Sequence, residues 1–469
     1  MCVLGGAIVA LLAGSFLPRN RQVVTRWIAI LALLASVIAS AAGAAQPPMT
    51  IFESSFSIDA GSSFARIIIA LATAFVIVLG IEELSGTRRE SETHALLLLA
   101  ALGAMVLSGA SDLLILVTGY LLTSIPLYAL VGMSRSPGAA EAALKTYLLG
   151  ALLGITMLLG VTVLFAIGRG TSYRQLGLTL VEAPAAAVAV GVVGILGGLM
   201  FKAGGVPGHF WIPDATQASG KTVAAFLTTV PKIGALVAAY RLLDTLPGSI
   251  DWPLLVGILA AASMTLGNLA AFWQDDVRRL LGWSTVSQVG YLLLPVAAAG
   301  RTDLALPSLL LYLVGYAVTN LTAFAVVAAL PTRRTLADYR GAARAHPWIA
   351  GALVVSLLGL VGTPPTAVFV GKLTVFTAAW DGDLVWLVIV AAINTAVSLF
   401  YYLRWLVPVF SRTEAHPSSP SDTEPIARIA TVRRRWAACS AIIGAVSVLG
   451  LGLLAGAILS ITAKSPLGP

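Results

Sequence analysis

The chain has 469 residues, is 58% hydrophobic and 11% charged, and carries a formal net charge of +8. Soluble domains use about 25% charged residues, so a soluble fold is excluded. The basic excess is spread as arginines between apolar runs rather than gathered into one patch, which fits membrane topology and not nucleic-acid binding.

Apolar runs of about 20 residues, the length that crosses a bilayer core, recur from end to end. They predict an all-α polytopic membrane protein with about 14 spans. The expected spans are 3–17, 24–44, 64–82, 93–109, 111–133, 143–167, 184–205, 221–244, 253–274, 283–299, 303–330, 347–376, 383–409 and 437–463. The ten-residue alternation of a membrane β-barrel is absent. No basic residue precedes the first run, whereas Arg19, Arg21 and Arg26 follow it, so it reads as a membrane helix and not as a cleaved signal. Alternate loops at Arg19–Arg26, Arg88–Arg89, Arg135–Lys145, Arg278–Arg279, Arg333–Arg344 and Arg412–Arg435 hold most of the arginines. The positive-inside rule then places these loops in the cytoplasm and both termini outside, in a bacterial-type inner membrane. The Ser- and Pro-rich stretch Thr413–Pro425 is expected to be an exposed loop.

Two spans carry helix breakers. The seventh contains Gly204, Gly205, Pro207 and Gly208, and the twelfth contains Gly362, Pro364 and Pro365. They lie five spans apart, an odd offset that makes the surrounding units run in opposite directions through the membrane. Paired broken helices in inverted repeats are the signature of a transporter with an ion path at the midplane. The ordinary alternative is that glycine and proline only permit kinks and close packing. The expected organisation is helices one to three over 1–92, a first five-helix repeat over 93–244 and an inverted second repeat over 253–410. A cytoplasmic loop over 411–436 and a last helix over 437–469 complete it.

The chain has six lysines, and Lys202, Lys232 and Lys372 fall inside spans or against a break. Arginine remains protonated, whereas a desolvated lysine can release a proton. A charge at the bilayer centre costs several kcal/mol, about 2.5 to 3.5 on insertion scales. A proton relay explains lysines in these places; snorkelling or a structural ion pair is the alternative. His209, inside the first break, exchanges protons near neutrality or else satisfies exposed backbone. Asp112 is either an N-cap or a carboxylate partner. Asp214 is either a cap or a partner for a lysine, and Asp275 and Asp276 form a loop cluster with Arg278 and Arg279. Cys2 and Cys439 make no CxxC pair, and no nucleotide-binding glycine fingerprint is present, so no metal, iron–sulfur or nucleotide site is expected on this chain.

The stretch FKAGGVPGHFWIPDATQASGKTVAAFLTTVPKIGALVAAYRLL resembles the helix seven–eight region of the antiporter-like membrane subunits of respiratory complex I, a proton-conducting membrane transporter family. DDVRRLLGWSTVSQVGYLLL, LYLVGYAVTNLTAFAVV and GTPPTAVFVGK extend the resemblance over nearly the whole chain; Lys372 speaks for the N- or L-type branch, and GTPPTAVFVGK and YYLR look N-like. The resemblance implies a non-redox, proton-translocating component of an NADH:quinone oxidoreductase. Its partners would be other membrane subunits, with NADH, FMN, iron–sulfur clusters and quinone held elsewhere in the assembly. It implies that Lys202 is the centre of one half-channel, Lys232 the connecting lysine and Lys372 the lysine near the exit, with His209 between them. A cation/proton antiporter subunit, a membrane-bound hydrogenase subunit and a non-pumping scaffold are the alternatives. Two departures stand out. Aligning on SIPLY puts Leu121 where the family normally has a glutamate paired with the helix-seven lysine. Ser219-Gly220-Lys221-Thr222 replaces the family's Ala-Pro-Thr-Pro run.

Overall fold

The structure is a computed structural model and describes residues 1–248, 250–411 and 434–463. The expected loop at Thr413–Pro425 lies outside the described residues. In chain order the helices are α1 (Cys2–Phe16), α2 (Val23–Ala44), α3 (Ala60–Leu79), α4 (Ile81–Leu84), α5 (Glu90–Ser108), α6 (Leu113–Gly132) and α7 (Pro137–Gly168). They continue as α8 (Tyr173–Thr179), α9 (Ala185–Ala203), α10 (Trp211–Ala218), α11 (Lys221–Thr245), α12 (Trp252–Ala271), α13 (Val277–Ala297) and α14 (Ala305–Ala329). The last are α15 (Ala342–Ala345), α16 (Pro347–Val361), α17 (Ala367–Asp381), α18 (Val385–Phe410), α19 (Arg435–Leu453) and α20 (Ala455–Ala463). One small hairpin, β1 (Met49–Ile51) with β2 (Phe56–Ile58), lies between α2 and α3.

Among the described residues, twelve helices are long and apolar enough to cross a membrane. The helices α1, α16 and α17 have 15 residues each, about 22 Å at 1.5 Å per residue, short of a 30 Å hydrocarbon core. The twelfth span, expected over 347–376 with breakers inside it, is two helices, because Gly362 turns left-handed at φ 90° and ends α16. The seventh span is divided in the same way: Gly204 at φ 81° ends α9, and α10 restarts the chain at Trp211. Only glycine takes this conformation without a Cβ clash.

Helix starts follow local chemistry. Asp59 and Ser62 form a reciprocal capping box on α3, Ser136 caps α7 ahead of Pro137, and Asp276 accepts the backbone N–H groups of Arg278 and Arg279 at the start of α13. Asp276 thus acts within a polar loop, as the sequence suggested, while its neighbour Asp275 pairs with Arg404 at 2.5 Å.

The helices α11, α13 and α14 are buried along almost their whole length, whereas α2, α7, α18 and α19 turn most of theirs outward. The three central helices thus form the core around which the others pack. Close approach is required there: a Cβ on Gly234 of α11 would lie 2.2 Å from the Ala104 carbonyl of α5.

Polar contacts tie the helix ends together. At the basic end, Glu83 of α4 accepts the backbone N–H groups of Lys221 (2.9 Å) and Thr222 (2.8 Å) and the Thr222 hydroxyl. Its neighbour Glu82 accepts those of Trp436 (2.5 Å) and Ala437 (3.2 Å). Two consecutive carboxylates therefore cap α11 and α19, neither of which has a capping side chain at its own N-cap. Arg26, the last of the basic group before the second span, is buried in the first turn of α2 and pairs with Glu90 of α5 at 2.7 Å. At the opposite end, Arg241 of α11 donates to Asp59 and to the Ser108 carbonyl (3.0 Å), drawing the ends of α3, α5 and α11 together.

Glu83→Ala should uncap α11 and lower stability by about 1–2 kcal/mol, read as a reduced unfolding temperature of the purified protein in detergent. Arg241→Met removes the guanidinium that bridges the buried Asp59 and the Ser108 carbonyl and should also lower stability. Equal unfolding temperatures for the wild type and Arg241→Met would contradict the assigned role of the pair.

Candidate functional site

The three lysines named from the sequence are all buried inside the helix bundle. Lys202, in the last turn of α9, is 1% exposed; Lys232, midway along α11, is 0% exposed; Lys372, in the first turns of α17, is 4% exposed. These values exclude snorkelling, in which the ammonium would reach solvent. None of the three has a carboxylate within 4.0 Å among the described residues, so a structural ion pair is excluded for them as well.

Neutral groups surround each amine. The Lys202 Nζ donates to the hydroxyl of Ser124 on α6 and lies 4.7 Å from the centre of the Tyr120 ring and 5.6 Å from that of Phe201. Ring faces carry negative electrostatic potential and attract a cation. The Lys232 Nζ donates to the Tyr316 hydroxyl of α14 at 3.3 Å. That hydroxyl donates to the Thr228 carbonyl at 2.8 Å and lies 3.0 Å from the hydroxyl of Thr285 on α13. Asn320, one turn beyond Tyr316, donates to the hydroxyls of Thr228 (3.0 Å) and Thr229 (2.8 Å).

The Lys372 Nζ donates to the Val361 carbonyl at 2.9 Å and to the Thr395 hydroxyl of α18 at 3.3 Å, with the Tyr291 ring centre 4.0 Å away. The neighbouring carbonyl, Leu360, accepts the Gln288 amide at 2.9 Å, and Gln288 in turn accepts the Tyr312 hydroxyl at 2.5 Å. The break after α16 leaves these carbonyls without helical partners. Two adjacent carbonyls at its end thus receive side chains from opposite directions, one from Lys372 and one from the Gln288–Tyr312 pair. Tyr312 stands one turn from Tyr316, so a nearly continuous line of polar groups runs from Lys232 to the second break. Farther along, Asn268 donates to Asn394 (2.9 Å) and accepts from Ser287 (2.8 Å) and Tyr401 (3.2 Å), while Tyr402 lies 2.5 Å from Ser284.

At the first break the backbone is satisfied by other means. Trp211 Nε1 donates to the Phe201 carbonyl at 3.0 Å, and the Val206 N–H donates to the Ser263 hydroxyl at 3.0 Å. Gly205, Pro207 and Gly208 form the connection between α9 and α10, and Pro364 and Pro365 the one between α16 and α17. His209 is 1% exposed and lies against Phe210 and Trp283, with ring centres 4.1 and 5.7 Å apart. Neither imidazole nitrogen makes a hydrogen bond of normal geometry among the described residues, and the Pro207 carbonyl lies alongside. The structure brings His209 to the first break but joins it to neither Lys202 nor Lys232 by a hydrogen bond.

The acids are placed elsewhere. Asp112 caps α6, accepting the Leu114 N–H at 2.7 Å and the Thr171 hydroxyl at 2.5 Å. Twelve residues separate it from Ser124, about 18 Å along a helix, so it does not replace the missing partner of Lys202. Asp214 pairs with Lys145 (3.0 Å) and Arg279 (2.5 Å), away from the buried lysines. Leu121 is 44% exposed on the outer face of α6, and the side chains of that helix that meet Lys202 are Ser124 and Tyr120.

The sequence reading did not single out Tyr291, Tyr312, Tyr316, Gln288, Asn320 or Thr395. A signal was available: Ser284, Gln288 and Tyr291 on α13, and Tyr312, Tyr316 and Asn320 on α14, recur at three- or four-residue spacing, which puts polar groups on one helix face.

Residues 110–398 match the family model described as NADH:quinone oxidoreductase/Mrp antiporter, TM. The chain is 55% identical over 459 residues to NADH-quinone oxidoreductase subunit N of Mycobacterium sp. (strain JLS), covering 97% of this chain and 95% of that protein. It is 50% identical over 460 residues to NADH-quinone oxidoreductase subunit N 1 of Streptomyces griseus, covering 98% and 95% of the two chains. Among solved structures, a chain of respiratory complex I from Thermus thermophilus superimposes with a TM-score of 0.81 at 29% identity, covering 98% of this chain and 99% of that one. A chain of the Mrp complex from Dietzia shares the fold, with a TM-score of 0.85 at 21% identity and coverage of 99% and 94%. The chain therefore belongs to the NADH:quinone oxidoreductase/Mrp antiporter membrane-subunit family, within its subunit N group.

Proposed function

We propose that this chain is the N-type, non-redox subunit of a complex I-type NADH:quinone oxidoreductase and moves protons along Lys202, Lys232 and Lys372. One observation carries the reading: three buried amines are bonded only to neutral groups, two of them, Lys232 and Lys372, at the ends of a line of polar side chains, in a chain 55% identical to a subunit N. A lysine amine can accept and release a proton where an arginine cannot. Hydroxyl and amide groups between the amines can each accept one hydrogen bond while donating another, as relay along a hydrated path requires.

In this reading Lys202 takes up a proton in the first half-channel, Lys232 and the Tyr316–Thr285 hydroxyls pass it across the centre, and Lys372 releases it towards the exit. His209 serves the first break. Redox energy reaches the chain through neighbouring membrane subunits, whose changing charge alters which amine holds the proton. NADH, FMN, iron–sulfur clusters and quinone belong to those partners, and this chain needs no cofactor. Two inverted repeats over 93–244 and 253–410 account for the paired breaks, since α9 and α16 both end on a left-handed glycine. Fourteen crossings, with α9–α10 and α16–α17 each counted as one, place both termini outside and the basic loops in the cytoplasm of a bacterial-type inner membrane.

A second reading, a scaffold that no longer pumps, draws on the absence of a carboxylate beside Lys202 and on Leu121 in the place of the family's glutamate. A third, a cation/proton antiporter subunit, is separated from the first by asking whether flavin and iron–sulfur subunits co-purify with the chain.

Lys232→Ala, in the assembled complex reconstituted in vesicles, should lower the ratio of protons pumped to electrons transferred, and Lys202→Ala should do the same. Unchanged ratios in both variants would remove the relay assignment. Leu121→Glu should leave the ratio near the wild-type value if the chain already pumps without the acid. A clear gain of pumping on introducing the acid would favour the scaffold reading.

A further inference from the structure

A second polar feature lies apart from the lysine axis, at the basic end of the helices. The turns after α4 and α6, with the start of α11, enclose a cavity of about 290 Å³. At about 30 Å³ per molecule this is the volume of roughly ten waters, ample for a phosphate-sized group. Arg88, Arg89 and Arg135 line it, and Leu84, Met133 and Val223 supply apolar wall.

The charges around the cavity are unbalanced. Among the described residues Arg88 and Arg135 have no carboxylate within 4.0 Å, and Arg89 has only the exposed Glu92 at 3.7 Å. Glu83 also lines the cavity, but its oxygens already accept two backbone N–H groups and one hydroxyl. Lys221 lies beside Glu83 and within electrostatic reach of Arg278, Arg334 and Arg434, which adds further positive charge. The lining hydroxyls of Thr87, Thr93 and Ser134 donate to backbone carbonyls. The guanidinium N–H groups are therefore the donors left for a ligand, and they favour a phosphate through paired, charge-assisted hydrogen bonds.

We propose that this cavity binds the headgroup of an acidic phospholipid. Its place at the end of a bundle of membrane-length helices favours a lipid over a free anion, because basic pockets between such helices hold anionic headgroups. Arg135 sits in the turn that leads directly into α7, and Leu144, Tyr147 and Leu148 of that helix are each more than half exposed. Leu144 lies seven residues past Pro137, about 10 Å into the helix, where it would meet the acyl chain of a lipid whose phosphate rests on Arg135.

The test uses the purified, delipidated full-length chain, titrated separately with phosphatidylglycerol and phosphatidylcholine and read by native mass spectrometry. The wild type should retain phosphatidylglycerol in preference. Arg88→Gln/Arg135→Gln should weaken that retention about tenfold or more, while Arg88→Lys/Arg135→Lys keeps most of it and unchanged unfolding temperatures show that the fold is intact. Equal retention by wild type and the glutamine variant would overturn the proposal. So would full displacement by millimolar inorganic phosphate, which would mark a free-anion site. Loss of partner subunits from the variant complex with lipid retention unchanged would mark a protein interface and also overturn it.

Discussion

The rest of the structure depends on how ionisable amines are kept inside a helical core that offers them no opposite charge. Burying an ammonium without a partner is among the most expensive things a protein can do, and a membrane supplies no water to relieve it. Here the relief comes from neutral oxygens and aromatic faces: Ser124 with Tyr120 and Phe201, Tyr316, and the Val361 carbonyl with Tyr291. Those groups come from α6, α9, α13, α14 and α16, so solvating the amines and packing the helices are one problem. The central helices α11, α13 and α14 are buried on nearly every side. Their polar side chains must find partners among themselves, which explains why hydroxyls and amides form chains rather than isolated pairs.

The two breaks solve the complementary backbone problem in different ways. A helix that ends inside a membrane leaves carbonyls and N–H groups that must be satisfied locally. After α9, Trp211 and Ser263 satisfy the opened backbone, and the amine of Lys202 turns away towards Ser124. After α16, Gln288 and Lys372 take adjacent carbonyls, so the ionisable group itself becomes part of the backbone's hydrogen bonding. Lys202 precedes its break whereas Lys372 follows its own, which makes the two sites alike in composition but not in geometry.

Charge that does find an opposite sits at the helix ends. Asp59 with Arg241, Arg26 with Glu90, and the Glu82–Glu83 pair over α11 and α19 join segments far apart in sequence. Carboxylates there are committed to caps and pairs, and this leaves Arg88 and Arg135 at the basic end without a carboxylate within 4.0 Å among the described residues. Acids outside the lysine axis hold the ends of the bundle while the axis itself stays free of them.

The sequence by itself determined the class of fold, the place of both breaks and the three buried lysines. Hydropathy is additive along the chain, and glycine and proline act on their own backbone, so neither needs knowledge of neighbours. The family's residue pattern was likewise legible, including the leucine at 121. Only the tertiary structure decided which side chains meet. It made Asp112 a cap, paired Arg26 with Glu90, and set Ser124 rather than Leu121 against Lys202. It also assembled tyrosines, amides and threonines from α11, α13, α14 and α18 into a line between Lys232 and Lys372. The physical reason is that a hydrogen bond depends on distance and direction across helices. Rotation of one helix by a single residue changes its partners, and composition along the chain carries no record of that rotation.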